Sequence, residues 1–186
     1  MDGKKRDIIE AAIRTVTRYG IKKTSMTDIA FEAGVSRQTL YSHFNNREAI
    51  WLATIEMITV DYIGLIESGV GRASSISEEL EVVFEQIAVR PYDILVEAPE
   101  LHDIVNGFDQ ASQEALKVAD AKFCELIARL LGRYDVVLEK RGVTPIQLAE
   151  MIFFCCKSLK QSVKDRDRFI SMVEALKKSI LSMVED

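Results

Sequence analysis

The feature that most constrains the fold is the stretch Thr27–Phe44, which reads TDIAFEAGVSRQTLYSHF. Its apolar residues recur at helical spacing before Gly34, and Ser36 follows the glycine two residues later. A glycine just past the end of a helix can adopt the left-handed conformation that reverses the chain. Ser36 can then cap a second helix through its hydroxyl. The pattern predicts two short helices joined by a tight turn.

The second of these helices is predicted to expose many polar side chains on one face. Leu40 and Phe44 lie four residues apart and can pack inward together. The outward-facing residues are Arg37, Gln38, Thr39, Tyr41, Ser42 and His43. A helix-turn-helix lays its second helix in the major groove, with N-terminal residues at base edges. Arginine pairs well with guanine and glutamine with adenine, while residues further along reach phosphates. The pattern therefore favours DNA recognition.

The wider stretch Thr24–Ile50, TSMTDIAFEAGVSRQTLYSHFNNREAI, closely resembles the DNA-binding signature of TetR-family transcriptional regulators. The specific part is the ordered set TDIA, AGVS, TLYSHF and the RE pair, and the rest of the chain matches the family only in length and helical character. Positions matched to the signature become candidates for base contact at Arg37, Gln38 and Thr39. The remaining DNA-binding candidates from the signature and its cap are Thr27, Ser36, Tyr41, His43 and Arg47. Gln38 stands where the family usually has a glycine or another small residue.

The resemblance implies an all-α chain with an N-terminal three-helix DNA-binding domain at 1–46 and a C-terminal helical domain at 47–186. The second domain would bind a small-molecule effector and form a homodimer. The protein would then be a cytoplasmic regulator, usually a repressor, that leaves a palindromic DNA operator when its effector binds. A different class stays open: a helical small-molecule-binding or scaffold protein with a nonfunctional DNA-binding head.

The charge distribution agrees with a DNA-binding N-terminus. The whole chain of 186 residues carries a net charge of −5, but residues 1–50 carry +3 and the rest −8. The positive charge thus lies beside the predicted DNA-reading helix. Three charges are few, so dimerisation and local clustering would have to supply much of the attraction to DNA.

Apolar periodicity predicts helices along the rest of the chain. A first helix covers Lys4–Tyr19, and a fourth runs from Arg47 to about Ile66 and connects the two domains. Asn45 is expected to cap this fourth helix. Further helices are predicted over about 77–89, restarting or breaking at Pro91, and over 109–141.

Two helices close the chain, over about 145–164 and 167–184. Thr144 and Pro145 begin the first, and apolar residues repeat along the second at heptad spacing. The pair could complete the core of one chain or meet the same pair of a second copy in a four-helix bundle. We expect the second arrangement, because Met172 and Val184 widen the apolar stripe beyond what one intramolecular partner needs.

An effector cavity is expected among aromatic and polar side chains of the C-terminal domain, where short irregular helices can leave space. Each such residue is by itself more often part of a core than a ligand contact. The candidates are Tyr62, Phe84, Tyr92, His102, Phe108, Phe123 and Phe154.

No catalytic or metal-binding set is predicted. The chain has two histidines, His43 and His102, and lacks HExxH, GxSxG and paired CxxC motifs. We therefore expect no enzyme activity, no metal and no cofactor. Cys124, Cys155 and Cys156 form no disulfide framework, which favours a reducing compartment, and the adjacent pair reads as small core residues or, alternatively, a redox switch. The longest uninterrupted apolar run, MIFFCC, is far shorter than the roughly 20 residues of a membrane span, so a soluble protein is expected.

Overall fold

The computed structural model describes residues 2–97 and 109–185. Every regular element in these ranges is helical, and they contain no strand, which confirms the predicted all-α class. The chain divides into two compact units. One comprises the described parts of Met1–Thr59 and Glu97–Ala119, and the other comprises Val60–Val96 and the described part of Asp120–Asp186. A domain boundary at residue 46 stays a prediction.

The first unit contains the helices that sequence analysis predicted for DNA binding. They are α1 (Gly3–Tyr19), α2 (Met26–Glu32), α3 (Arg37–His43) and the N-terminal half of α4 (Arg47–Val70). Apolar residues at helical spacing on each helix point to one shared core. Its buried members include Ile8, Ile9, Ala12, Val16, Ile29, Ala30, Leu40, Phe44, Ile50, Trp51 and Met57. This core fixes the orientation of the two short helices, which are too short to be stable alone.

The helix α4 begins at Arg47 as predicted, but its capping residue and its C-terminal end differ from the sequence prediction. Asn46, and not Asn45, caps the helix, because its side-chain oxygen accepts the hydrogen bond from the N–H of Ala49 at 2.8 Å. At the other end the helix continues to Val70 instead of stopping near Ile66. Gly69 lies in this last turn, where an added Cβ would come within 2.5 Å of the Val82 side chain. The glycine therefore permits close packing and does not mark a loop.

By length and composition alone, α4 could also cross a membrane. Its most apolar 18-residue window has a mean hydropathy of 1.6, and 39% of that window is buried within the structure. Glu56 and Asp61 interrupt the window, so it contains no long uninterrupted apolar run. The helix is weak evidence for a membrane span, because core helices of soluble proteins pass the same test.

The second unit is built from the remaining helices around a separate core. In chain order these are α5 (Ile76–Phe84), a π turn (Glu85–Val89), α6 (Arg90–Glu97), the C-terminal part of α7 (Gln110–Leu131), a 3-10 turn (Gly132–Tyr134), α8 (Asp135–Lys140), α9 (Pro145–Ser162) and α10 (Arg166–Val184). The core includes Ile66, Leu80, Phe84, Ile87, Tyr92, Ile127, Leu131, Leu138, Leu148, Ile152, Phe169, Val173 and Ile180.

Two predicted helices are interrupted in the structure. Pro91 restarts the chain as the second residue of α6, after a π turn that follows α5. The helix predicted over 109–141 is divided at Gly132, where a 3-10 turn separates α7 from α8. Glycine is a weak helix former, and short 3-10 segments are common at such junctions.

The last two helices lie close to where the sequence predicts them. Thr144 forms a capping box with Gln147 at the start of α9, with Pro145 in the first turn. Val184, however, is only 3% exposed and belongs to the core of its own unit. Val184 therefore cannot widen the apolar stripe that is expected to face a second copy. Of the two residues predicted to do so, only Met172 is exposed.

Candidate nucleic-acid interface

The turn between α2 and α3 has the geometry predicted from Gly34. This glycine adopts a φ of +63°, in the left-handed region. Its N–H donates to the carbonyl oxygen of Phe31 at 3.1 Å, and the N–H of Val35 donates to that of Ala30 at 3.0 Å. This pair of hydrogen bonds is a Schellman motif, which satisfies the last carbonyls of α2. The reversal is therefore encoded locally.

Both helices begin at a serine cap, and the cap of α3 is the predicted Ser36. Ser25 and Asp28 form a reciprocal capping box at α2, and hydrogen bonds from the Ser25 hydroxyl and backbone hold the pKa of the Asp28 carboxyl below its ordinary value. At α3 the Ser36 hydroxyl accepts from the N–H of Thr39 at 3.0 Å. The two hydroxyls of Ser36 and Thr39 are also hydrogen-bonded to each other at 2.8 Å. Both side chains are thus oriented by the cap before any ligand arrives.

The outward face of α3 presents polar side chains to solvent. Arg37, Gln38 and Tyr41 are exposed, and within the described residues none of them holds a hydrogen bond or an ion pair. Ser42 is exposed and donates to the carbonyl oxygen of Thr39 at 2.8 Å, while His43 is partly buried. The face therefore offers a guanidinium, an amide and a phenol hydroxyl with unused hydrogen-bonding capacity.

Two further candidate residues lie near the start of α2 and α4. Thr27 is exposed on α2. Arg47 is already engaged within the protein, since its Nη1 donates to the carbonyl oxygens of Ile21 and Thr24, each at 3.1 Å. The sequence predicts a phosphate contact for Arg47, and the structure gives the same guanidinium a role within the protein that the sequence did not reveal.

Comparisons with known proteins agree with this geometry. Residues 8–54 match the model described as "Bacterial regulatory proteins, tetR family". This segment carries the TetR-family signature. The curated relatives of the chain include the uncharacterized HTH-type transcriptional regulator YerO of Bacillus subtilis, which is 27% identical over 173 residues and is matched over 82% of this chain and 57% of its own length.

A second curated relative matches mainly the DNA-binding region. It is the HTH-type transcriptional regulator TtgR of Pseudomonas putida, which is 36% identical over 76 residues, covering 40% of this chain and 33% of the relative. The chain thus spans little more than half of YerO and a third of TtgR.

Solved structures share the fold along the whole chain. The fatty acid degradation regulator FadR from Bacillus halodurans superimposes with a TM-score of 0.74 at 18% identity, covering 100% of this chain and 97% of the other. FadR from Bacillus subtilis, solved in complex with stearoyl-CoA, gives 0.71 at 16% identity and 97% coverage of each chain. At these identities the likeness establishes the fold.

The predicted effector residues are not all gathered in one place. Phe84 and Tyr92 are 2% exposed and lie in the core of the second unit. The Tyr92 ring stacks on that of Phe169 at 3.9 Å, and its hydroxyl donates to the carbonyl oxygen of Lys164 at 2.9 Å. Burial raises the pKa of Tyr92. These two aromatic side chains hold the core together, and a ligand could reach them only if the core opened.

The other aromatic candidates are more accessible. Phe123 is partly buried and stacks on Phe153 at 5.6 Å, and Phe153 in turn meets the edge of Phe154. Phe154 is 50% exposed on the outer side of α9, and Tyr62 is partly buried. His102 and Phe108 lie outside the described residues.

The structure reveals a shallow groove on the outer side of α9 that sequence analysis did not identify. Its volume is 480 Å³, and it is lined by Gln147, Glu150, Met151, Phe154, Cys155 and Ser158. These residues recur at helical spacing on the side opposite the buried stripe, a signal present in the sequence but masked by the stronger stripe of core residues. Met151 and Phe154 thus place exposed apolar side chains on the side of α9 opposite its buried stripe.

The cysteines lie in two environments. Cys124 and Cys156 are buried, and burial raises the pKa of their thiols to about 11 and about 12. Such thiols are protonated at neutral pH and therefore unreactive as nucleophiles. Cys155 is partly buried and lines the groove on α9. Among the described residues, no group of three or more His, Cys, Asp or Glu is arranged to hold a metal ion.

Proposed function

We propose that this TetR-family chain is a sequence-specific DNA-binding transcriptional regulator, acting as a repressor in the cytoplasm. The observation that carries the proposal is the outward face of α3, where Arg37, Gln38 and Tyr41 are exposed without internal partners on a helix fixed by a cap and a Schellman turn. Arg37, Gln38 and Thr39 would contact base edges, and Thr27, Tyr41 and His43 would contact phosphates. No enzyme activity is part of this proposal.

A homodimer is the second part of the proposal. The outer side of α9 exposes Ile146, Met151 and Phe154 by 41%, 43% and 50%, and α10 exposes Met172 by 39%. Apolar side chains on two adjacent helices fit the four-helix contact of a two-fold dimer. Two reader helices in such a dimer would meet DNA half-sites about one helical turn, roughly 34 Å, apart.

Effector release is the third part. An effector that binds a form with the two heads wrongly spaced would lower operator affinity by its differential affinity for the two forms. The helix α4 continues from the first unit into the second and would carry the change. Tyr62, Phe123 and Phe154 are the candidate contacts a ligand could reach without opening the core. Phe84, Tyr92, His102 and Phe108 complete the proposed set.

Selection of bound fragments from random DNA tests the DNA-binding proposal. We expect enrichment of a palindrome by the wild-type protein and loss of that enrichment in Arg37→Ala/Tyr41→Ala. Arg72→Ala removes the same charge from an exposed loop position and serves as the control. Equal enrichment by all three proteins would show that a surface other than Arg37 and Tyr41 reads the DNA. No preference over competitor polymer at moderate salt would support the alternative of a scaffold with a nonfunctional head.

A further inference from the structure

The connection between α1 and α2 is held in place by a residue 23 or more positions further along the chain. Arg47 donates from Nη1 to the carbonyl oxygen of Ile21 and to that of Thr24, each at 3.1 Å. A single guanidinium nitrogen thus bridges both ends of a four-residue segment. The side chains of Ile21 and Thr24 also anchor the segment, because both are buried, with exposures of 7% and 2%.

Two further hydrogen bonds close the same segment. The Thr24 hydroxyl donates to the carbonyl oxygen of Gly20 at 2.9 Å, and the N–H of Lys23 donates to the same carbonyl at 3.3 Å. Gly20 adopts a φ of +80°, a conformation that favours glycine. The backbone from Gly20 to Thr24 is therefore well defined.

The side chains between the two bridged carbonyls are Lys22 and Lys23, and both are exposed. Within the described residues neither lysine's side-chain ammonium group has a hydrogen bond or an ion pair. Two adjacent ammonium groups on a fixed backbone segment are suited to bind the phosphates of a DNA strand, while Arg47 has already committed one nitrogen to the protein. The side chain of Arg47 is 36% exposed and also lies 3.8 Å from Glu48, which offsets its charge.

We infer that Arg47 is a positioning residue that holds Lys22 and Lys23 where they bind DNA phosphates, and that it is not itself a phosphate ligand. The inference rests on the proposed DNA-binding function. An arginine suits this task because its planar, permanently charged fork reaches two carbonyl oxygens in a fixed geometry. If Arg47 acts through the lysines, its effect on DNA affinity disappears when the lysines are gone.

A double-mutant cycle tests this dependence. The four proteins are wild type, Arg47→Ala, Lys22→Gln/Lys23→Gln and the triple variant, each titrated against the selected DNA at several salt concentrations. Removing the two lysines should reduce the salt slope by about two per DNA-binding unit. Arg47→Ala should weaken binding by about tenfold in the wild-type background and by less than about threefold in the background without lysines.

Independent action would give a different pattern. If Arg47 binds a phosphate itself, Arg47→Ala weakens DNA binding by the same factor in both backgrounds and reduces the salt slope by about one in each. That result overturns the inference, as does an unchanged affinity of Arg47→Ala in the wild-type background. Arg14→Ala is the charge-matched control, since Arg14 is paired with Glu32 at 2.9 Å and has no hydrogen bond to the α1–α2 connection.

A second measurement does not depend on DNA. Trypsin cleaves after lysine only where the backbone can open locally, so the rate of cleavage after Lys22 and Lys23 in the full chain reports how firmly the segment is held. We expect Arg47→Ala to raise this rate about tenfold relative to wild type and Arg14→Ala, with Arg47→Lys used if the alanine variant does not fold. An unchanged rate overturns the inference. Failure of wild type to bind any DNA would remove the proposed function, and faster cleavage would still show that Arg47 fixes the segment.

Discussion

The Nζ of Lys160 donates a hydrogen bond of 2.6 Å to the carbonyl oxygen of Ile87, four residues before Pro91. Proline has no backbone N–H, so it cannot serve that carbonyl as an ordinary helical residue would. The π turn Glu85–Val89 lies at the same place, and such turns occur where the regular ladder is interrupted. A side chain on α9 thus replaces a backbone donor missing from α6.

A pH dependence follows from the burial of Lys160. Burial lowers the pKa of this lysine to about 8, against an ordinary value of 10.5, with Cys156, Lys157 and Asp120 as the nearby ionisable groups. The unfolded chain therefore binds more protons than the folded chain between pH 8 and 10.5, and this group makes stability rise with pH in that window. Cys124 and Cys156 act in the opposite direction, because their raised pKa values make stability fall above about pH 9.

Comparison with Lys160→Met separates these effects, because both proteins contain the cysteines. The free energy of unfolding of wild type minus that of the variant should increase by on the order of 2 kcal/mol between pH 7 and pH 9.5. Urea unfolding at the two pH values measures it. The same difference at both pH values would contradict the assignment.

Pro91→Ala should reduce the importance of Lys160. The alanine supplies an N–H that can donate to the Ile87 carbonyl oxygen, so the hydrogen bond from Lys160 becomes less necessary. Lys160→Met should therefore destabilise the Pro91→Ala protein by about 1 kcal/mol less than it destabilises wild type. Denaturant unfolding of the four proteins at pH 7 gives this coupling energy. Strict additivity would show that the two residues do not share the carbonyl.

Gly34→Ala tests the turn between α2 and α3. An added Cβ would meet nothing within 4 Å, so any cost comes from the φ of +63° and not from a clash. We expect a loss of about 1 kcal/mol in the free energy of unfolding. Gly132→Ala is the matched control, since its Cβ also has open space but its φ is not positive. The control should be neutral or stabilising by roughly 0.5 kcal/mol, and equal thermal shifts in both variants would argue against strain at Gly34.

Phe154→Glu tests the proposed dimer contact. The side chain is 50% exposed in the single chain, so the charge should leave the fold intact while placing two carboxylates in the contact between copies. Sedimentation should show a dissociation constant raised by about 100-fold or more. Val136→Glu, at a position 67% exposed on α8, provides the control and should sediment as wild type does. Dimers of unchanged strength in Phe154→Glu would place the contact elsewhere.

Local chemistry made much of the first unit predictable. The caps at Ser25 and Ser36, the reversal at Gly34 and the inward packing of Leu40 and Phe44 all depend on residues within a few positions of one another. Hydrogen bonds of this kind form between residues at fixed sequence separations, so the sequence alone is enough to predict these caps and turns. Two predictions for α4 are wrong. The cap is Asn46 instead of its neighbour Asn45, and the helix continues to Val70 because Gly69 permits close packing there.

The effector contacts are harder to predict from the sequence, because an aromatic residue can serve in a core, in a ligand site or on an exposed surface. Phe84 and Tyr92 are predicted as effector contacts because they are aromatic. The tertiary structure shows them within the core, and the Tyr92 hydroxyl donates to a carbonyl oxygen 72 residues away. Phe154 was selected by the same criterion and lies on the outer surface of α9. Periodicity shows that a residue lies on an apolar face, but not which element covers that face.

The sequence by itself determined the all-α class, the helix-turn-helix and the polar face of α3, because these depend on residue spacing and local capping. Only the tertiary structure decided that Arg47 bridges the carbonyls of Ile21 and Thr24, and that Lys160 donates to the carbonyl of Ile87, four residues before Pro91. Each of these bonds joins a flexible cationic side chain to a backbone oxygen 23 to 73 residues away. Any of many carbonyls could accept such a bond, and the packing of the helices selects which one does.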